Sequence, residues 1–249
     1  MNLKTLNYLI MNLKKISLAL VVSIIMISIF SCSKNDPTGT VALKARAINS
    51  NPTGKVMFDA RSTVNTITIS SFKINIGEIE FEVEDQDEQN ENLYGDLELK
   101  GPFELDLSTG SFTVPITTVE LPNNVYSEIE FDLRKSTNAN SALFGKSILI
   151  TGTLNGKPFT FWHDAIEEIE VDYPNSITNI TIAENQLTVA IEFNLAAIFG
   201  PTSSIDFTTV LDRDLDGTIE INPTTDDGNA AIALQIKNLL KENSNLDND

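Results

Sequence analysis

Apolar and polar residues alternate with period two along most of the chain, the pattern of strands with one buried face. Val41, Leu43, Ala45 and Ala47 alternate with polar neighbours, and so do Ile67 and Ile69. Across residues 73–84 the phase changes: Ile74 and Ile76 fall on even positions, but Ile79, Phe81 and Val83 on odd ones. The switch falls at Gly77, which predicts a bulge that re-aims the strand. Phe103, Leu105 and Leu107 continue the pattern, followed by residues 125–133 and then Ile148, Ile150 and Leu154. Asn155-Gly156 joins this run to a return strand carrying Phe159 and Phe161. A type I′ turn needs positive φ at both central residues, so Asn-Gly predicts a hairpin here. Further runs cover 166–172, 177–183 and 187–195, with shorter ones at 205–210 and 218–221.

Alternating strands at this spacing predict an all-β fold over residues 40–225: an antiparallel β-sandwich, Ig-like or transthyretin-like. The period then changes. Ile232, Ile236, Leu239 and Leu240 are spaced for one face of a helix, and residues 226–249 read as a short C-terminal helix with a polar tail. Asp226 and Asp227 stand where they can cap its first turn, and Lys237 and Lys241 lie near its end, where cations favour the helix dipole.

The N-terminus has a different character. Residues 1–31 contain Lys4, Lys14 and Lys15, no acid, and an apolar run at 16–30. Basic residues, a short apolar core and a small residue at a cleavage point make a secretory signal. A spanning helix needs about 20 apolar residues, more than this run supplies. Met11 offers a second start that gives a more ordinary signal. The stretch Ile29-Phe30-Ser31-Cys32 resembles the lipobox of bacterial lipoproteins, with Phe30 where a small residue is commoner. That resemblance implies cleavage before Cys32, the only cysteine, with lipid on its sulfur and new N-terminus, so that the first partner is a membrane. Residues 32–39 then read as a lipidated cysteine and tether. Ser33-Lys34-Asn35-Asp36-Pro37 resembles the polar tethers of Bacteroidota surface lipoproteins, which implies the outer membrane, on its periplasmic or surface side.

Composition narrows the chemistry. The chain has 249 residues, one Cys, one His and a formal net charge of −18. No intrachain disulfide, cysteine zinc site or histidine cluster can be built from that inventory. The charge disfavours nucleic acid, whose affinity comes largely from Lys and Arg on phosphates.

One segment has metal-ligand spacing: Asp212-Arg213-Asp214-Leu215-Asp216-Gly217-Thr218-Ile219-Glu220. Carboxylates at alternate positions converge as a chain curls, Gly217 permits the sharp turn, and Thr218 offers a carbonyl. The pattern D-x-D-x-D-G-x-I resembles the first half of an EF-hand calcium loop. Position twelve of such a loop is normally Glu, but here it is Pro223, and no amphipathic helices flank the segment. The half-loop also resembles those of dockerin-like and thrombospondin-type repeats, which borrow later acids. Asp226, Asp227 or Asn222 can complete the shell. The expected ligand set is Asp212, Asp214, Asp216, Thr218 and Asp227, with calcium in a structural role; the competing reading is an Asp-rich turn in an acidic protein.

Three strands alternate acids with apolar residues: Glu80, Glu82 and Glu84; Glu128, Glu130 and Asp132; Glu168, Glu170 and Asp172. Their acids must face outward, and if the strands are neighbours, like charges stand opposite each other. The simplest reading is a solvated face that aids solubility and guards edges. Trp162 is a candidate for stacking on a glycan. His163 and Asp164 are neighbours, but adjacent strand residues point to opposite faces, and no nucleophile motif accompanies them. No catalytic residue is assigned.

Gly101-Pro102-Phe103-Glu104-Leu105-Asp106-Leu107 and Leu121-Pro122-Asn123-Asn124-Val125-Tyr126, with the lipobox, resemble uncharacterised Bacteroidota lipoproteins with β-sandwich bodies. The resemblance implies location rather than mechanism. The expected function is a lipid-anchored, non-enzymatic binding or adhesion module stabilised by calcium, with a glycan or protein ligand. The alternatives are a fimbrial or structural subunit and an acid-pair glycan hydrolase.

Overall fold

The longest strand sets the frame. In the computed structural model, which describes residues 38–48, 56–59, 66–83, 97–107, 113–171, 180–182, 186–224 and 227–248, β1 (Thr38–Ile48) and β2 (Val56–Asp59) are followed by β3 (Thr66–Val83). The register of β3 shifts at the Gly77 phase change, between Ile76 and Glu78, so that apolar residues stay inward on both sides of the bulge. β4 (Leu97–Asp106) pairs with β3, and β5 (Val114–Pro122) crosses to β1. β6 (Val125–Leu133) and β7 (Ile148–Leu154) both pair antiparallel with β3. They meet at Asn75, whose N–H donates to the Ser147 carbonyl and whose carbonyl accepts from the Arg134 N–H. β8 (Lys157–His163) returns on β7 through Asn155 and Gly156, whose φ angles of 54° and 81° are those the hairpin requires.

β9 (Glu167–Val171) and β10 (Ile180–Thr181) add to β6, and β11 (Gln186–Asn194) joins β1. After helix α1 (Leu195–Phe199) come β12 (Ile219–Ile221) on β8, helix α2 (Ala230–Glu242), and β13 (Ser244–Asn248) on β11. The result is an all-β, sandwich-like fold of two sheets. One has the order β13-β11-β1-β5; the other runs β10-β6-β3-β7-β8-β12, with β2, β4 and β9 attached. Between the sheets, Phe193 of β11 meets Phe72 of β3 and Phe131 of β6 edge-on, at 5.5 and 5.8 Å between ring centroids. All three rings are buried, and each contributes about 1.5–3 kcal/mol from burial. α2 buries Ala233, Ile236 and Leu240 at helical spacing and packs against β8 and β12. Among the described residues no helix is long and apolar enough to cross a membrane.

Several local expectations are corrected. The pairing is not wholly antiparallel: β1 with β11 and β12 with β8 are parallel. β1 starts at Thr38, inside the stretch read as tether. Residues 205–210 form no strand, because the Asp206 carboxylate accepts the Thr208 N–H at 3.0 Å and curls Phe207–Thr209 into a 3-10 turn. Asp227 does not cap α2: the N-cap position is Asn229, and Asp227 is engaged elsewhere. The polar tail read as irregular forms β13, held by buried Leu246 and by Arg46, whose guanidinium joins Glu192 of β11 and Asp247 of β13. The signal segment, Cys32 and Asp226 lie outside the described residues.

Candidate metal centre

Residues 211–218 curl ahead of β12, and residues 227–229 lead into α2. The curl follows from short-range bonds of its own aspartates. Asp214 Oδ1 accepts the Asp216 N–H at 3.1 Å, and Asp216 Oδ1 accepts the Thr218 N–H at 2.7 Å. Such Asx turns offer the backbone an alternative to a ladder. Leu215 and Gly217 take the left-handed φ values of 61° and 97° that the curl needs; Gly217 adopts its value without steric cost.

Buried residues stitch the loop from behind. Asp227, 1% exposed, accepts the Arg213 N–H at 2.6 Å and the Asp214 N–H at 3.4 Å on Oδ1, and the Glu220 N–H at 2.8 Å on Oδ2. Asn229 accepts the Leu211 N–H and donates to the carbonyls of Leu211 and Glu220. Burial pushes the Asp227 carboxyl up, but the N–H groups of Glu220, Arg213 and Asp214 outweigh it and hold the group below the usual carboxylate range.

The carboxylates converge as two overlapping triads. Asp212, Asp214 and Asp227 bring one oxygen each within 4.8 Å of one another, and so do Asp214, Asp216 and Glu220. Oxygens at 2.3–2.6 Å from a calcium ion lie at such separations from each other. Two oxygens point to a cation independently of charge density: Asp212 Oδ1 and Glu220 Oε2 are shielded from solvent and meet no protein donor. The other Asp212 oxygen lies 3.2 Å from Lys157 Nζ. Glu220 is pushed up to about 7, first by burial, then by its hydrogen bond to Asp227 and the negative charge of Asp216, Asp227 and Asp214. Of the expected ligands, the fold gathers Asp212, Asp214, Asp216 and Asp227. Thr218 sits in the curl with its N–H on Asp216. Asn222 is buried and turned to the Thr224 N–H at 2.9 Å. Glu220 was not among the expected ligands, although its place eight residues after Asp212 was visible as a signal.

The outward acids form a second acidic region. β4, β3, β6 and β9 are neighbours, and their registers place Glu98, Glu80, Glu130 and Glu170 in one row across four strands. The adjacent row reads Lys100, Glu78, Asp132 and Glu168, and Glu82 stands opposite Glu128. Lys100 engages Glu78 and Glu98, which lowers the Glu98 carboxyl. Glu130 is pushed up to about 7 by burial and by Glu168, Glu82, Glu170 and Glu80; Glu128 rises to about 7 through its hydrogen bond with Glu82, with burial adding to the effect. A hollow of about 210 Å³ on this face is lined by Glu78, Glu80, Glu98, Glu130, Asp132 and Glu168.

The stacking candidate is less open than its sequence suggests. Trp162 is half-buried, and Lys146 Nζ lies 5.9 Å from its ring centroid. His163 Nδ1 is 4.0 Å from Asp164 Oδ1, beyond a hydrogen bond, and burial lowers the imidazole's basicity. Tyr126 is buried, with its hydroxyl on the Pro122 carbonyl. No family model matches this chain, and no curated protein or solved structure matches it at a significant level.

Proposed function

We propose that the chain is a lipid-anchored bacterial envelope protein whose β body, Ig-like or transthyretin-like in type, is a non-enzymatic binding or adhesion module stabilised by calcium. The anchor reading rests on Cys32, the only cysteine, standing directly after a basic and apolar leader. The calcium reading rests on one observation above all: the buried, donorless Asp212 Oδ1 beside carboxylates that converge at cation-ligand separations. The ion joins β12 to the start of α2 and so secures the C-terminal third of the fold. The module's ligand is a glycan or protein outside the membrane to which the lipid holds it.

A two-part experiment tests this. Expression in a bacterial host with labelled palmitate should label the wild-type protein and leave Cys32→Ser unlabelled. Thermal melting of the mature domain should shift upward with millimolar calcium and return with chelator. An unlabelled wild type removes the anchor, and a melt indifferent to calcium removes the ion.

A further inference from the structure

The carboxylates of the loop fall into two kinds. Asp227 is heavily engaged: its oxygens accept backbone N–H groups, from Arg213 and Asp214 on one side and Glu220 on the other, and its carboxylate also meets the Glu220 side chain. Asp212 and Glu220 are the reverse, each holding one oxygen away from water with no donor to meet it. The Asp212 side chain is only 5% exposed, so its orphaned oxygen is not a surface accident. A buried acceptor without a donor is costly, and a cation is the partner that satisfies several at once. Glu220 also has the firmer support. It lies in β12, paired with Thr160 of β8, whereas Asp214 and Asp216 sit in the curl and are aimed by their own Asx turns.

We propose that Glu220 is a direct ligand of the calcium ion, filling the place that Pro223 leaves vacant in the half-loop pattern, and that Asp227 is a positioning residue which holds the loop around the ion. The inference rests on the calcium reading above and reassigns two residues within it. Asp212, Asp214 and Asp216 remain ligands. Asp227 acts through the backbone of Arg213, Asp214 and Glu220, so its loss changes the frame before it changes the coordination sphere.

The test uses the mature domain as wild type, Glu220→Ala and Asp227→Asn. Calcium affinity is measured by calorimetry, metal-free stability by thermal melting, and ligand count by terbium luminescence lifetimes in H2O and D2O, which report water bound to the ion. Glu220→Ala should weaken calcium by at least about tenfold and admit about one further water to the terbium sphere. Its metal-free melting temperature should stay level or rise, because a crowded acid has left. Asp227→Asn should lower the metal-free melting temperature and leave the water count unchanged; failure of this variant to fold is the framing role at its limit, and the Glu220 arm is read independently of it. Calcium affinity within threefold of wild type and an unchanged water count for Glu220→Ala overturn the assignment while the calcium reading stands. An added terbium-bound water in Asp227→Asn overturns its purely positioning role. A wild type that takes up neither ion overturns both readings.

Discussion

The sheet face and the Asp-rich loop are both crowded with carboxylates, yet the molecule treats them differently. On the face, Glu98, Glu80, Glu130 and Glu170 stand in cross-strand register because each strand must put its apolar residues inward, and the pleat leaves the acids no other place. The crowding there is a by-product of burial on the other side. In the loop the acids are held by dedicated groups: three backbone N–H donors on Asp227, and Asx turns from Asp214 and Asp216. Negative charge alone does not mark a site. Directed donors and inward oxygens without a partner single out the loop as the candidate.

The largest effect that would sharpen this contrast is expected at Asp227. Asp227→Ala removes the acceptor of three N–H groups in a buried setting, each costing about 1–3 kcal/mol when left unmet. The melting temperature should fall by on the order of 10 °C, since about 1 kcal/mol corresponds to roughly 2–4 °C at this size. A fall of only a degree or two would mean water replaces the carboxylate and the loop is less built than described. Calcium comes next. At 100 times Kd a ligand contributes about 2.7 kcal/mol, and the resulting upward shift should be unaffected by Glu80→Gln or Glu130→Gln on the face. If those changes abolish the shift, the ion sits on the sheet and the contrast is reversed.

A pH series isolates the face once Glu220 of the loop, which is raised to the same range, is replaced by Gln in the background. Glu128 and Glu130 titrate near 7 in the folded protein, above the ordinary value of an unfolded glutamate. Groups raised in this way favour the fold when protonated, so their contribution is full below the unfolded value and is lost as pH rises through about 7. In chelator, the domain should therefore melt at higher temperature at pH 5.5 than at pH 7.5, and Glu128→Gln with Glu130→Gln should flatten that dependence. Both groups are half-buried on a solvent-facing sheet surface, where screening keeps the shift to a few degrees rather than tens. A slope of opposite sign would show that the face carries no net repulsion. A smaller effect is expected of Glu130→Gln alone at pH 7.5: relief of its cross-strand neighbours is worth up to about 1 kcal/mol, a rise of roughly 2–4 °C in a melt. The same change at Glu98, where Lys100 already compensates, should do less.

Much of this was legible from residue order because it is local. The Gly77 phase switch, the Asn155-Gly156 hairpin and the helical spacing of Ile232, Ile236 and Leu240 each depend on near neighbours. What escaped depends on partners far along the chain. β5 was missed because Val114, Ile116 and Val119 keep no single phase, and what holds the strand is the long-range register with β1. β13 offers only Leu246 as an apolar residue, and its order comes from β11 and Arg46. The acids of three strands were read as outward, but that their strands are adjacent is a fact of topology. Within the loop the alternate aspartates were plain and 218–221 was read as extended, whereas the convergence of Glu220 with Asp214 and Asp216 needed the curl itself, and the role of Asp227 needed the backbone it faces.

The smaller sheet carries a kinetic consequence. β1 lies in its interior, and Arg46 on that strand binds a carboxylate 146 residues later, on β11, and another 201 residues later, on β13. Pairings that close loops of this length are entropically slow and raise contact order. An emerging chain can zip the hairpins of the larger sheet early, but β1 lacks its second neighbour until β11 has been made. The smaller sheet should thus close late, and hydrogen exchange during refolding should protect β7 and β8 well before β1.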